Sequence, residues 1–173
     1  MTNQDEEFVN RLKIEDVPWG KLTTAYGRAA DFPEYLATLD SMQDREEMEY
    51  AFGEIGSCIE HQGTLWHSTP FALIFLVRIY REAAKQEGSD NADWLVGEME
   101  DLFDLICTCY HDVEEDMEED EPRPPFSDML KEEYLWPEDL SEEEEDEYWQ
   151  QGYDDDLFAS IYHYSYELVK EFE

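Results

Sequence analysis

Three observations predict an all-α fold for this chain. Apolar residues recur at three- and four-residue steps through most of residues 19–110. One run, Phe71 to Tyr80, is apolar almost all round and opens on Thr69-Pro70, and no segment alternates apolar with polar residues as a half-buried strand does.

The elements follow in order. Trp19, Leu22, Ala25, Tyr26 and Ala29 fall on one face of a first helix. Asp31 is placed to cap the next, with Pro33 in its first turn and Tyr35, Leu36 and Leu39 behind it. The link between the two is so short that they should form an antiparallel hairpin. A third helix sets Met48, Ala51, Phe52, Ile55 and Ile59 on one stripe and Glu46, Glu47, Glu49 and Glu54 on the other side, with Asp44 at the cap position. After Gly63, the Thr69-Pro70 start opens the most apolar helix, which should be central and covered on several sides. The polar stretch 86–93 ends it, with Gly88 suited to a C-cap. Leu95, Met99, Leu102, Phe103, Ile106 and Tyr110 then form the stripe of a fifth helix.

Composition changes after His111. Residues 112–156 hold 22 Asp and Glu against Arg123 and Lys131, so they supply −20 of the chain's net −36. The prolines of 121–126 cannot continue a helix and predict an extended connection. Beyond them Leu130, Tyr134, Leu135, Trp136, Leu140, Tyr148 and Trp149 are interleaved with acids, which suits short helices carrying apolar anchors. Leu157, Phe158, Ile161, Ser165, Leu168, Val169 and Phe172 return to helical spacing behind three aspartates, whose charge favours a helix N-terminus. The expectation is a single domain over 1–173, with a helical core at 14–110, an acidic aromatic-containing segment at 112–156, and a C-terminal helix at 157–173 docked on the core.

A charge of −36 raises the question of disorder, but 42% hydrophobic and 14% aromatic residues are far more than a solvated acidic tail carries. The field of such a chain repels nucleic acid and anionic membranes and attracts basic proteins or divalent cations, so neither a nucleic-acid nor a membrane partner is expected. Residues 1–13 lack the basic start and apolar stretch of a signal peptide, and no apolar run reaches the roughly 18 residues of a membrane span, so the expected location is cytoplasmic. Cys58, Cys107 and Cys109 are an odd number without a CxxC pair, which suits buried free thiols.

The stretch WGKLTTAYGRAADFPEYLATL (19–39), followed by AFGEIGSCIEHQGTLWHSTPFALIFL (51–76), resembles a group of small bacterial helical-repeat proteins of the HEAT-like kind. Trp19, Leu22, Ala25, Tyr26, Gly27, Ala29, Asp31, Pro33, Leu36 and Leu39 fit the first block of that group, and His61, Gln62, Gly63 and Thr64 fit the second. The resemblance covers about a third of the chain. It implies HEAT-like antiparallel helical hairpins, to which this chain adds an acidic, partly helical insertion and the docked C-terminal helix. Some members resemble immunity proteins, which bind and neutralise a toxin delivered by neighbouring cells.

Cys58, His61 and His67 crowd together at the end of the third helix, where three metal ligands or a Cys–His nucleophile are conceivable. No second close ligand pair accompanies them, and Cys58 lies beside the inward stripe, whereas a reactive thiol needs an electropositive, partly exposed site. The plainer reading is a helix end, a turn at Gly63, His61 satisfying backbone groups and Thr69 capping the central helix. No Gly-rich phosphate loop, HExxH, GxSxG or EF-hand loop is present, and 47 carboxylates let no acid–base pair stand out. The expectation is therefore no enzyme, no cofactor and no dedicated metal.

The acidic segment is the functional candidate. Aromatic anchors inside a charged rim are the composition of tight protein interfaces, and Tyr134, Trp136, Tyr148, Trp149 and Tyr153 stand among acids. The expected partner is a basic protein, under the resemblance a toxin domain. Glu114, Glu115, Asp116, Glu118, Glu119, Glu142, Glu143, Glu144, Glu145, Asp146, Asp154 and Asp155 would supply the charge, and Trp136, Tyr148 and Trp149 the anchors. Nuclease toxins are basic because they hold phosphate, so an acidic inhibitor can occupy the substrate groove. Two alternatives bind differently. A DNA-mimic inhibitor spreads carboxylates at phosphate-like spacing, and a general helical-repeat scaffold binds through the concave faces of its helices.

Overall fold

The computed structural model describes residues 1–117 and 123–173. The protein is all-α. Helices α1 (Asn3–Arg11), α2 (Phe32–Ser41), α3 (Arg45–Ile59), α4 (Thr69–Ala83), α5 (Asp90–Val113), α6 (Glu142–Gln151) and α7 (Asp155–Val169) are joined by short 3-10 turns and two hairpins. The hairpins pair β1 (Thr23–Thr24) with β2 (Gly27–Arg28) and β3 (Glu60–His61) with β4 (Thr64–Leu65), both antiparallel. Among the described residues no helix is long and apolar enough to cross a membrane.

The core is built around α4. Eleven of its fifteen residues are buried, from Thr69 to Ala83, because α2, α3, α5 and α7 all pack against it. Each fully buried Leu, Ile or Phe stabilises the fold by roughly 1.5–3 kcal/mol relative to an exposed position, so this apolar run makes the largest contribution of any helix. α2 and α3 form an antiparallel pair through Leu36, Leu39, Met48, Ala51 and Ile55, turning at Met42 in the left-handed conformation. α7 lies across α4 and α5, burying Leu157, Ile161, Tyr162, Tyr164, Leu168 and Val169. The helix starts are satisfied locally: Asp44 accepts from the Glu47 N–H (3.1 Å), Ser89 from Ala92 (3.3 Å) and Asp154 from Leu157 (2.8 Å).

Residues 19–29 do not form the expected helix. Trp19–Lys21 is a 3-10 turn, and β1 and β2 then close a hairpin over Ala25 and Tyr26. Gly27 sits at φ +127°, outside the helical region, and the backbone groups a helix would pair internally bond elsewhere. The Ala25 N–H donates to the Cys58 carbonyl (3.0 Å), and the Ser68 N–H donates to Thr23 (3.1 Å). Trp19, Leu22 and Ala29 are buried all the same, because the hairpin folds back on itself through the bond from Ala29 N–H to the Leu22 carbonyl (3.0 Å), while Tyr26 is 66% exposed. The antiparallel partner of α2 is consequently α3. Asp31 precedes α2 without a side-chain capping bond, and Gly88, at φ +78°, turns the loop after α4 rather than ending the helix.

Candidate protein-binding surface

The stretch around Cys58, His61 and His67 is a joint between helices. Gln62 and Gly63 both have positive φ (54° and 80°), as the tight two-residue hairpin turn between β3 and β4 requires. His61 engages no backbone group in the joint; its Nδ1 lies 3.1 Å from the Tyr26 hydroxyl, at the tip of the neighbouring hairpin. His67 is fully buried, and its Nε2 donates to the Met129 carbonyl at 2.9 Å. Burial holds its pKa down to about 4, so the ring is neutral at physiological pH. Burial likewise raises the Cys58 thiol and pushes Cys107 and Cys109 up to about 11 and about 12. Among the described residues no three His, Cys, Asp or Glu side chains converge as metal ligands.

Thr69 serves this joint differently from the expected helix cap. The capping position of α4 is Ser68, and the Thr69 hydroxyl donates to the Ile59 carbonyl (2.5 Å) and accepts from the Trp66 N–H (2.9 Å). Thr69→Val keeps the shape and strands both groups. Denaturant titration is expected to show a loss of about 2–3 kcal/mol, with Thr69→Ser retaining most of the stability. Equal stability of the Val and wild-type proteins would show that the hydroxyl does not hold the joint.

The acidic segment is tied to the core at successive points. Phe126 is fully buried, stacked on Tyr164 (4.3 Å between ring centroids) and edge-on to Phe8 (5.5 Å). Its N–H donates to the buried Asp5 carboxylate (2.8 Å). Burial pushes that carboxyl up, but hydrogen bonds from Thr2 and Phe126 outweigh it and hold the pKa below the usual range. Farther along, the Trp136 N–H donates to the Lys21 carbonyl (3.0 Å), and Lys21 Nζ meets Glu132 (3.3 Å) and Glu138 (3.5 Å). The Tyr153 hydroxyl accepts from the His67 N–H (3.0 Å) and pairs with the Thr23 hydroxyl, and burial pushes its pKa up to about 12.

Between these anchors stands α6, whose first six residues are all acidic and none of whose ten is buried. It forms because Ser141 and Glu144 make a reciprocal capping box and because acids favour the helix N-terminus. Its contacts with the rest of the protein are few. Glu145 Oε1 accepts from Arg28 Nε at 2.6 Å, Trp149 stacks on Trp66 (5.6 Å, 19°), and Tyr148 tilts against Trp136 (6.1 Å). Arg28 also donates to the Gly20 (2.7 Å) and Pro137 (2.8 Å) carbonyls and lies over the Trp136 ring at 5.4 Å.

The sequence-predicted interface residues separate into groups. Glu142, Glu143 and Asp146 are exposed on α6, and neither they nor Glu147 form an ion pair among the described residues. Tyr148 and Trp149 are 41% and 48% exposed, so each keeps part of a ring at the surface. Trp136 corrects the expectation: at 8% exposure it is turned inward, because its ring packs under Arg28 and Tyr148, and it anchors the segment to its own core. Glu144 caps its own helix, Asp154 caps α7, and Asp155 is exposed in the first turn of α7. Glu114 pairs with His111 Nδ1 (3.2 Å) at the end of α5, and Glu115 is exposed beside it. Asp116 belongs to the turn Glu114–Asp116, and Glu118 and Glu119 lie outside the described residues.

Arg28, Trp66 and Asp5 were not legible as site residues in the sequence, and Tyr153, expected among the aromatic anchors, ties the segment inward through His67 and Thr23. For Arg28 the only signal is scarcity, one of 11 basic residues, placed next to the hairpin glycine. A separate groove of about 610 Å³ runs between α2 and α3, lined by Glu34, Asp44, Glu46, Glu47 and the edge-to-face pair Tyr35 and Tyr50 (6.0 Å).

Comparison with protein-family models, with characterised proteins and with solved structures finds no match to this chain. Fold and surface together define an all-α, strongly acidic protein in which helix α6 is a solvent-facing carboxylate ridge carrying two half-exposed aromatic rings.

Proposed function

We propose that the protein works by stoichiometric binding in the cytoplasm, as an immunity protein that neutralises a basic, nuclease-type toxin. The reading rests on α6: a helix whose carboxylates, Glu145 apart, meet no cation among the described residues, and which carries the half-exposed rings of Tyr148 and Trp149. Buried charge is costly and solvated charge is cheap, so a carboxylate row on an ordered helix suits a partner that brings its own cations. The ridge steers the partner in, the two aromatic rings supply apolar contact, and the occupied surface is the one the toxin uses for phosphate. No catalysis is involved.

The test is binding of a basic protein recovered at low salt. The complex should be one-to-one, and an oligonucleotide should compete for the same surface. Replacing Glu142, Glu143, Asp146 and Glu147 by their amides is expected to slow association at low salt by about 10–100-fold and to flatten its salt dependence. If no basic protein is held at low salt, or if the amide variant associates as fast as wild type, the reading fails. A scaffold reading has one observation in its favour, the tyrosine-lined groove between α2 and α3. It predicts that Tyr50→Ala, and not the ridge variant, abolishes binding.

A further inference from the structure

We propose that Arg28 is a positioning residue that latches α6, so that the acidic ridge is already fixed before any partner arrives. The inference rests on the reading of α6 as the partner-facing element and adds how that element is held. α6 buries none of its residues fully, and its apolar contact with the rest of the protein is two half-exposed rings near its C-terminal end, Trp149 on Trp66 and Tyr148 against Trp136. The charged contact that reaches its acidic turns is a guanidinium site filled in cis. Arg28 donates Nε to Glu145 (2.6 Å) and its two terminal nitrogens to the Gly20 (2.7 Å) and Pro137 (2.8 Å) carbonyls, with its plane over Trp136 (5.4 Å).

Three acceptors and an aromatic ring match the fork of a guanidinium and not the point charge of an ammonium. The side chain is 16% exposed, so the pairing is sheltered from salt more than an ordinary surface ion pair. The site also joins three separate stretches of chain, since Pro137 precedes α6, Glu145 lies within it and Gly20 lies in the turn Trp19–Lys21. A preformed ridge spares the partner the ordering entropy of a ten-residue helix, whose first turn is costly to nucleate.

The stacked indoles of Trp66 and Trp149 report the latch without any partner, through the paired circular-dichroism band of two coupled rings. In Arg28→Ala this band is expected to disappear and the amides of α6 to exchange about tenfold faster, with the amides of α4 unchanged. Guanidinium at about 50 mM, too dilute to denature, should restore the band, whereas sodium or tetramethylammonium at the same strength should not. Arg28→Lys should restore less than the added guanidinium does.

Glu145→Gln provides a second variant that leaves the rest of the Arg28 site in place, and the helical signal and melting transition verify that each variant folds. An unchanged band and unchanged α6 exchange in both variants, or rescue by any cation alike, overturns the latch. That failure is distinct from failure of the binding reading, which shows as no basic protein held even by a latched wild type.

Discussion

Phe126→Ala is expected to lower the unfolding free energy by about 4 kcal/mol, the range for emptying a fully buried phenylalanine site. The ring has no exposed surface and is stacked at 4.3 Å and 7° on Tyr164, with Phe71 at 5.3 Å and Phe8 at 5.5 Å. Four elements thus meet at one side chain, so no single neighbour can relax into the cavity. Ordinary domains are stable by about 5–15 kcal/mol, so the variant should lose roughly a quarter to most of its stability. Urea titration read by helical signal measures the loss, and Phe126→Leu should cost markedly less. A loss under about 1 kcal/mol would mean that the acidic segment is not seated in the core.

His67→Gln is expected to change how stability depends on pH. In the fold His67 titrates near 4 because burial disfavours its charged form, against about 6.5 when unfolded. The unfolded chain therefore binds the extra proton first, and this group removes stability as pH falls from 6.5 towards 4, by about 3 kcal/mol in all. Protonating carboxylates acts in the opposite direction across the same window, since it relieves the self-repulsion of a chain at −36. The wild-type curve mixes both, and the difference between wild type and variant isolates the histidine. Glutamine places an N–H near Nε2 and can still reach the Met129 carbonyl, so the bond at 2.9 Å has a substitute. Between pH 7 and 4 the variant should lose about 3 kcal/mol less than wild type; parallel curves would show that His67 is not held neutral.

The legible parts of the fold are those fixed by residues near in sequence. The stripes of α3 and α5, the Asp44 cap and the all-round apolar α4 each follow from local periodicity, and they appear at those positions. Residues 19–29 show the limit. Their spacing satisfied the helical pattern, but two hydrogen bonds to Cys58 and Ser68, over thirty residues away, bind the same backbone into a hairpin. Trp136 shows it for the surface, because an exposed aromatic anchor and an internal one have the same local composition.

What the sequence determined by itself was the class: helices, one apolar centre, and an excess of carboxylates concentrated after His111. Tertiary structure alone decided which aromatic residues face inward, that Arg28 meets Glu145, and that His67 is neutral. The reason is physical. Periodicity and charge are properties of neighbouring residues, whereas burial, desolvation and the pairing of Arg28 with Glu145, 117 positions apart, exist only once the chain has closed on itself.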